Sequence, residues 1–315
     1  MGKHPNKILL LDMDSEVTRR LCRKLLMEGY HVVSVGKFET KLGDLKSFKN
    51  FTFHRLDLSS RDIIRSYIYE VNTIIFFDHS NLVLEKINNL YQSIIHLKSE
   101  IPQLFFISTC QVFSWKPNKL WMEEDDLSPE TDMGELISGA ETIVRNYTHK
   151  LSSAACILRI PRLVDPTYID SDFVRFIRIL KSHQKIDFNI SSNLLVQFIT
   201  LDSLVESLSK LLKMKWDGIE TFHISSFQQN FIPLFDSLRA ILDSNSTLIK
   251  DNKFTAYMKE LLTVSPLVRK RLDTLQKVHT VDFLRQPILD CTRSKNLFNL
   301  KRLNLEAFIT NLQVK

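Results

Sequence analysis

Three carboxylates stand close together near the start of the chain, in the stretch "LLLDMDSEVT" at residues 9–18. Asp12, Asp14 and Glu16 follow an apolar run and precede an amphipathic segment. Carboxylates in such a place repel an anion, contribute to a divalent-cation site, or stabilise the start of a helix, whose N-terminus favours negative charge. The chemistry of this turn therefore depends on the elements that flank it.

The flanking elements have the pattern of an α/β domain. Short apolar runs, each predicted to be a strand, occupy 7–11, 31–35, 51–56, 73–77, 103–107 and 154–160, with helix-like stretches between most of them. Continuous apolar strands are typical of a parallel sheet that helices cover on both faces. In the first helix, Val17, Leu21 and Leu25 recur on one face, and Gly29 stands where a helix commonly ends.

The sequence predicts two parts. Residues 1–165 are expected to form a doubly wound, Rossmann-like domain with a parallel sheet. Residues 166–315 alternate amphipathic helices with short strands and are expected to form a smaller α+β lobe of the substrate-binding type, parts of which return to the first domain.

Composition restricts the partners and the compartment. The chain has 315 residues, 44% apolar and 25% charged, which is typical of a folded globular protein. Its net charge of +6 is scattered, so nucleic acid is not the expected partner. No apolar run is long enough for a secretion signal or a membrane span. The four cysteines form no CxxC pair, so no metal site is predicted and a cytoplasmic location is expected.

Several segments resemble, in order and spacing, the motifs of the extended short-chain dehydrogenase/reductase family, the NAD-dependent nucleotide-sugar epimerases and dehydratases. That family has a turn like TGxxGxxG, a helix with YxxxK followed by AExxVxxY, and a strand like LRPxxVYGP. The corresponding pieces here are "LDMDSEVT" (11–18), "MGELISGAETIVRNY" (133–147) and "LRIPRLVDP" (158–166). The resemblance extends nearly from end to end and implies the family's fold.

The resemblance also implies positions for a cofactor. Asp12, Ser15 and Thr18 replace the family's three glycines. Asp57 matches an aspartate of the adenine pocket, and Lys37 follows Gly36, which stands where an acidic residue would hold the ribose. In the family the glycines let the backbone approach a diphosphate at a helix N-terminus. Side chains and negative charges there predict that NAD(P) binding is weakened or lost, while the alternative interpretation is that the carboxylates only cap the helix.

The catalytic pair of the family is missing. Met133 and Ile137 stand where its Tyr and Lys would be, and no tyrosine in the chain has a lysine four residues later. Without a lysine to lower its pKa, a tyrosine is a poor general acid or base. Thr109 matches the family's Ser/Thr position. The first prediction is therefore a catalytically silent binding or scaffold protein, and the alternative is an active epimerase or reductase with an altered site.

Two further expectations concern partners and an alternative fold. The resemblance implies a nucleotide or nucleotide-sugar ligand and a homodimer formed through the helices near 81–98 and 134–150. A minor alternative is a receiver-like phosphoacceptor domain over 1–125, in which Asp12, Asp14 and Asp57 would be the acidic site. That alternative leaves about 190 residues without a role and lacks the expected sequence after Asp57.

Overall fold

The computed structural model describes most of the chain and divides it into two compact units. The described residues are 7–56, 67–95, 101–117, 119–164, 172–182, 185–188, 194–215, 217–250, 286–299 and 303–311. The first unit comprises Met1–Leu163, Gln197–Ser226 and Pro287–Lys301. The second comprises Val164–Val196, Phe227–Gln286 and Arg302–Lys315.

The described residues form fourteen strands and eight α-helices. The strands are β1 (Lys7–Leu10), β2 (His31–Gly36), β3 (Phe51–Arg55), β4 (Thr73–Phe76), β5 (Gln103–Thr109), β6 (Leu120–Trp121), β7 (Ala155–Ile160), β8 (Arg162–Val164), β9 (Lys185–Phe188), β10 (Leu195–Thr200), β11 (Ile219–His223), β12 (Phe227–Asn230), β13 (Thr247–Lys250) and β14 (Ile288–Leu289). The helices are α1 (Glu16–Met27), α2 (Val83–Ile95), α3 (Asp132–Leu151), α4 (Asp172–Lys181), α5 (Leu201–Leu211), α6 (Phe231–Ile241), α7 (Thr292–Phe298) and α8 (Leu305–Asn311).

A seven-stranded parallel sheet forms the centre of the first unit, in the order β11-β7-β5-β4-β1-β2-β3. Ile8 of β1 is in register with Val32 of β2 on one side and with Thr73 of β4 on the other. The strand order therefore reverses between β1 and β4, and a doubly wound sheet opens its ligand crevice at the carboxyl ends of the strands at such a point. The predicted Rossmann-like fold is confirmed.

The two faces of this sheet carry separate hydrophobic cores. Side chains of a strand alternate between faces, so Leu9 belongs to one core and Ile8 and Leu10 belong to the other. All three are almost completely buried. Burying a side chain of this size contributes about 1.5–3 kcal/mol, so a strand with apolar residues on both faces is stable only under helices on both sides.

The first helix has the predicted amphipathic form. Leu21 and Leu25 are completely buried, and Val17 packs against the same core. The helix ends at Met27, and Gly29 adopts a φ of 89°, a left-handed conformation that glycine adopts without strain.

Later parts of the chain complete the first unit. β11 pairs in parallel with β7, and Ser294 of α7 donates a hydrogen bond to the carbonyl of His223 at the end of β11. The receiver-like alternative is wrong, because β5 is hydrogen-bonded to β7 in one continuous sheet and residues 1–125 form no separate domain. In the second unit β9 and β13 form a parallel pair, and Phe231 of α6 packs against Phe176 of α4.

Helix lengths and hydropathy also bear on membranes. Across the described parts of the chain, no helix is both long enough and apolar enough to span one.

Candidate functional site

The turn after β1 lies at the switch point of the sheet and begins with an unusual backbone conformation. Asp12 has a φ of 65°, in the left-handed region that glycine usually occupies. Aspartate is one of the few other residues that adopt this conformation at small cost. The turn thus keeps the backbone form of a glycine turn at its first position, although the residue there carries a charged side chain.

A buried lysine pairs with that side chain. Lys86 of α2 places its Nζ 3.4 Å from Oδ2 of Asp12 and 2.7 Å from Oδ2 of Asp78, which follows β4. These three side chains, the Lys86 cluster, are between 2% and 12% exposed. β1 and β4 are adjacent and parallel, so their carboxyl ends bring the two aspartates together.

The charges of the Lys86 cluster perturb one another. Burial and the neighbouring Asp78 raise the pKa of Asp12 above its usual value, against the opposing effect of Lys86. Burial alone would lower the pKa of Lys86, but the two carboxylates outweigh it and raise that pKa. Ser80 completes the cluster, since its backbone N–H donates to Oδ1 of Asp78 at 2.7 Å. The cluster therefore holds one protonated amine between two acids, one of which gives up its proton less readily than usual.

The other two carboxylates of the turn also have partners. Asp14 accepts hydrogen bonds from the backbone N–H groups of Lys37 and Phe38, just after β2. Glu16 forms an exposed ion pair with Arg20 at 2.5 Å, one helical turn along α1. Each of these two charges therefore has a donor or a cation within hydrogen-bonding reach.

The helix-capping interpretation also needs correction. Ser15 occupies the N-cap position of α1, but its side chain makes no capping hydrogen bond. Only Glu16 lies in the first turn of the helix, which begins at that residue, while Asp12 and Asp14 precede the helix and bind Lys86 and the loop after β2. The acidic side chains therefore connect the turn to neighbouring elements more than they cap the helix.

Arg19 closes the turn from the helix side. Its Nη1 donates to the carbonyl oxygen of Met13 at 3.0 Å and to that of Asp14 at 2.8 Å. A guanidinium that bonds two successive carbonyls fixes the path of the backbone between them. The turn is thus held by α1, by α2 and by the loop after β2.

The remaining implied cofactor contacts are placed as follows. Thr18 lies inside α1 with its side chain completely buried, and its hydroxyl has no hydrogen-bond partner among the described residues. Lys37 directly follows β2 and donates its backbone N–H to Asp14. Asp57 lies outside the described residues. The structure thus brings Asp12, Asp14 and Lys37 to one end of the sheet.

The two positions at which the resemblance places the family's catalytic Tyr and Lys are apolar and packed. Ile137 of α3 is completely buried in the core, and Met133 packs partly buried against the same core. Thr109 ends β5, and its hydroxyl accepts a hydrogen bond from the backbone N–H of Gln111. Neither a proton donor nor a cation stands at position 133 or 137, so these two positions offer no acid–base chemistry.

The start of α3 also approaches the turn after β5 very closely. A Cβ added to Gly134 would lie 2.2 Å from the carbonyl oxygen of Gln111, so only glycine fits there. Thr131 caps the helix by accepting from the N–H of Gly134 at 3.0 Å. This contact fills the space between the helix and the strand end that carries Thr109.

A buried polar network lies behind these positions. Glu141 of α3 accepts from Ser108 at 2.6 Å and from Arg159 at 2.8 Å, and all three side chains are at most 2% exposed. Nη1 of Arg159 lies 3.3 Å from Nε2 of His223. Burial and the charge of Arg159 lower the pKa of His223 to about 3. Both carboxylate oxygens of Glu141 are satisfied inside the network, although Nδ1 of His223 is buried without a hydrogen-bond partner in the described part of the chain, and this burial indicates a structural role.

Sequence reasoning missed the Lys86 cluster and this network. Lys86 lies three residues after Val83 and four before Leu90, both buried, so helical periodicity places the lysine on the core face of α2. A charged residue on such a face needs a partner, which was the available signal. Within the described ranges, no three His, Cys, Asp or Glu side chains are grouped to hold a metal ion.

Comparison with known proteins identifies a class of fold. No family model and no curated protein matches the chain. Solved structures do match along nearly its whole length, and nucleotide-sugar epimerases and dehydratases are among them. The chain has the NAD-dependent epimerase/dehydratase-like fold of extended short-chain dehydrogenases/reductases, as the resemblance implied.

Three of the similar structures illustrate the likeness. dTDP-glucose 4,6-dehydratase from Bacillus anthracis, in complex with NAD, is 12% identical with a TM-score of 0.71, covering 97% of this chain and 95% of that chain. UDP-glucuronic acid 4-epimerase from Bacillus cereus, with UDP-glucuronic acid and NAD, is 16% identical with a TM-score of 0.69, covering 97% of each chain. UDP-glucose 4-epimerase from Thermotoga maritima, with UDP-glucose, is 14% identical with a TM-score of 0.69, covering 98% and 97%.

Proposed function

We propose that this protein is a catalytically silent counterpart of the NAD-dependent epimerases and dehydratases, which acts by binding a ligand or a partner in the cytoplasm. The observation that carries the proposal is the complete burial of Ile137 in the core, at the position of the family's lysine. Met133, at the tyrosine position, has no ionisable group. Hydride transfer to or from a sugar needs a group that removes or supplies the hydroxyl proton, and neither position supplies one.

The cofactor half of the proposal is that NAD(P) binding is weakened or lost. The turn that would receive a diphosphate carries Asp12, Asp14 and Glu16, and Arg19 binds its carbonyls. Side chains in this position obstruct the close backbone approach that glycines allow. A nucleotide sugar is the proposed ligand class, because similar structures are described with UDP-glucose or UDP-glucuronic acid.

A turnover assay tests catalytic silence. Purified protein is incubated with NAD or NADP and with UDP-glucose, UDP-glucuronic acid or dTDP-glucose, and products are separated by chromatography while reduced cofactor is followed by its absorbance. The epimerase from Bacillus cereus serves as the positive control. We expect no product above the blank; turnover that disappears in Thr109→Ala would instead establish an enzyme with an altered site.

A binding measurement tests the ligand class separately. Calorimetric titration with UDP-glucose and with UDP-glucuronic acid is expected to show binding without turnover. Absence of binding to both would remove the nucleotide sugar from the proposal and leave a scaffold role.

Homodimerisation through α2 and α3 is the proposed assembly. Leu84, Leu136 and Ile143 are only partly buried on these helices, and a Cβ at Gly139 would lie 2.9 Å from Leu84, so the two helices approach closely. Light scattering is expected to give twice the monomer mass at micromolar concentration. A monomer under these conditions would contradict the proposed dimer.

A further inference from the structure

The carboxylate of Asp14 leaves its own turn and binds the backbone that follows β2. Its Oδ1 accepts from the N–H groups of Lys37 and Phe38, each at 3.1 Å, and its Oδ2 lies 3.1 Å from the same N–H of Lys37. Two adjacent backbone donors facing one carboxylate form an anion-binding arrangement. Here the anion belongs to the chain itself.

Gly36, the last residue of β2, shows that Asp14 occupies the space above the strand end. A Cβ added to Gly36 would lie 3.4 Å from Oδ1 of Asp14 and 3.1 Å from Cβ of Met13. Gly36 is not among the residues with positive φ, so close approach explains the glycine here better than an unusual backbone conformation does. The Asp14 carboxylate therefore lies in contact with the place where a side chain at the end of β2 would begin, and Met13 lies closer still.

This place has a known use in doubly wound folds. An acidic residue near the end of the second strand binds the ribose hydroxyls of a dinucleotide, and the N–H groups of the first turn receive its diphosphate. In this chain one residue, Asp14, takes the donors after β2 and also adds a negative charge to the turn. The Asp14 side chain thus connects the turn after β1 with the backbone after β2, the two places that bind a dinucleotide in such folds.

Asp12 and Asp14 differ in what their charges meet. Asp12 shares the ammonium of Lys86 with Asp78 and is only 12% exposed in its side chain. Asp14 is half-buried, and no cationic side chain pairs with its carboxylate in the part of the chain that the structure describes. An approaching diphosphate would therefore meet the charge of Asp14 before that of Asp12.

We infer that Asp14 is an internal ligand of the nucleotide subsite, and that this contact, more than the loss of glycines, keeps a dinucleotide out. The inference rests on the proposed loss of NAD(P) binding and names its cause. Removing the Asp14 side chain frees the N–H groups of Lys37 and Phe38 and removes a charge from the path of the diphosphate. The substitutions at 12, 15 and 18 remain in place.

The test compares wild type, Asp14→Ala, Asp14→Asn and Glu16→Gln by calorimetric titration with NAD and with ADP-ribose. Glu16→Gln is the matched control, because the charge of Glu16 is already paired with Arg20 at the exposed surface of α1, and its removal does not touch the loop after β2. Amide hydrogen exchange at residues 37 and 38 reports whether the internal contact is broken. We expect faster exchange in Asp14→Ala and NAD binding tighter than wild type by roughly tenfold or more, with Glu16→Gln unchanged.

One outcome overturns the inference alone: Asp14→Ala folds, exchanges faster at residues 37 and 38, and binds NAD no better than wild type. Wild type that binds NAD at micromolar concentration would overturn both the inference and the proposed loss of NAD(P) binding. If Asp14→Ala does not fold, Asp14→Asn decides, since it keeps an acceptor and loses the charge; it must bind NAD more tightly than Glu16→Gln. Turnover is scored separately by chromatography, so catalytic silence stands or falls independently.

Discussion

Oε2 of Glu141 lies 2.8 Å from Nη2 of Arg159, and both side chains are almost completely buried. Replacing Glu141 by Gln leaves the arginine without its counter-charge in the interior. Breaking a buried pair in this way costs about 3–5 kcal/mol. We expect a loss of this size in the free energy of unfolding of Glu141→Gln, measured by urea titration.

The matched control for Glu141→Gln is Glu206→Gln. Glu206 pairs with Lys210 at 2.7 Å on the surface of α5, with both side chains more than a third exposed. An exposed pair contributes at most about 1 kcal/mol. Equal losses in the two variants would show that the Glu141 network does not stabilise the fold as its burial indicates.

Lys86→Met should destabilise the protein in a pH-dependent way. The change leaves the carboxylates of Asp12 and Asp78 together at a buried strand end without a cation, at an expected cost of about 3–5 kcal/mol near neutral pH. Without the cation, the pKa of Asp12, which burial and Asp78 already raise, rises further in the folded state. The folded state then binds more protons than the unfolded state above the usual aspartate pKa, so the loss should shrink as the pH falls towards 4.

Thermal melts at pH 4.5 and pH 7 check this expectation. Lys24→Met is the control, because Lys24 pairs with Asp202 on the surface and its loss leaves no buried acid uncompensated. A loss in Lys86→Met that is the same at both pH values would contradict the arrangement of charges described here.

His223 should make stability rise with pH in acid. Its pKa is lowered from 6.5 to about 3 by burial and by Arg159. Between these values the unfolded chain holds a proton that the folded protein does not, so the free energy of unfolding increases as the pH rises from 3 to 6.5, by up to about 1.4 kcal/mol per pH unit. The contribution is fully present above 6.5.

Urea titrations across this range, on wild type and His223→Gln, isolate the effect. The variant should show the shallower slope. His149→Gln, which removes an exposed imidazole from α3, should follow wild type. A slope in His223→Gln as steep as that of wild type would mean that other groups account for the acid sensitivity.

Ile137→Lys should fail to restore the family's catalytic lysine. The side chain of Ile137 is completely buried in the core, so an ammonium placed there loses its hydration without a counter-charge. We expect a loss of about 3 kcal/mol or more in the free energy of unfolding, against at most about 1.5 kcal/mol for the volume-conserving Ile137→Met. Similar stability of the two variants would show that solvent reaches this position.

The sequence predicted the sheet well because its strands are apolar on both faces. The run at 154–160 became β7 (Ala155–Ile160), and the run at 103–107 became the first part of β5 (Gln103–Thr109). Such runs are recognised from the apolar character of their own residues, without knowledge of which elements they contact. Helix ends marked by glycine, as at Gly29, were predictable for the same local reason.

The partners of the charged residues were not predictable in this way. The role of Asp14 depends on Lys37 and Phe38, more than twenty residues away, and Lys86 meets Asp12 only because β1 and β4 are neighbours. Residue type gives the number of donors and acceptors, but topology decides which ones meet. Sequence spacing therefore indicated an acidic turn and could not show that its acids were already occupied.

The place of β11 at the edge of the central sheet has a consequence for biosynthesis. β7 is buried along its whole length, and residues 161–218 must be translated before β11 can cover its outer edge. At about 5–20 residues per second, a nascent chain carries this unpaired edge for several seconds. An uncovered apolar strand is a template for pairing with other chains, so the first unit needs protection from aggregation on the ribosome until the later segment emerges.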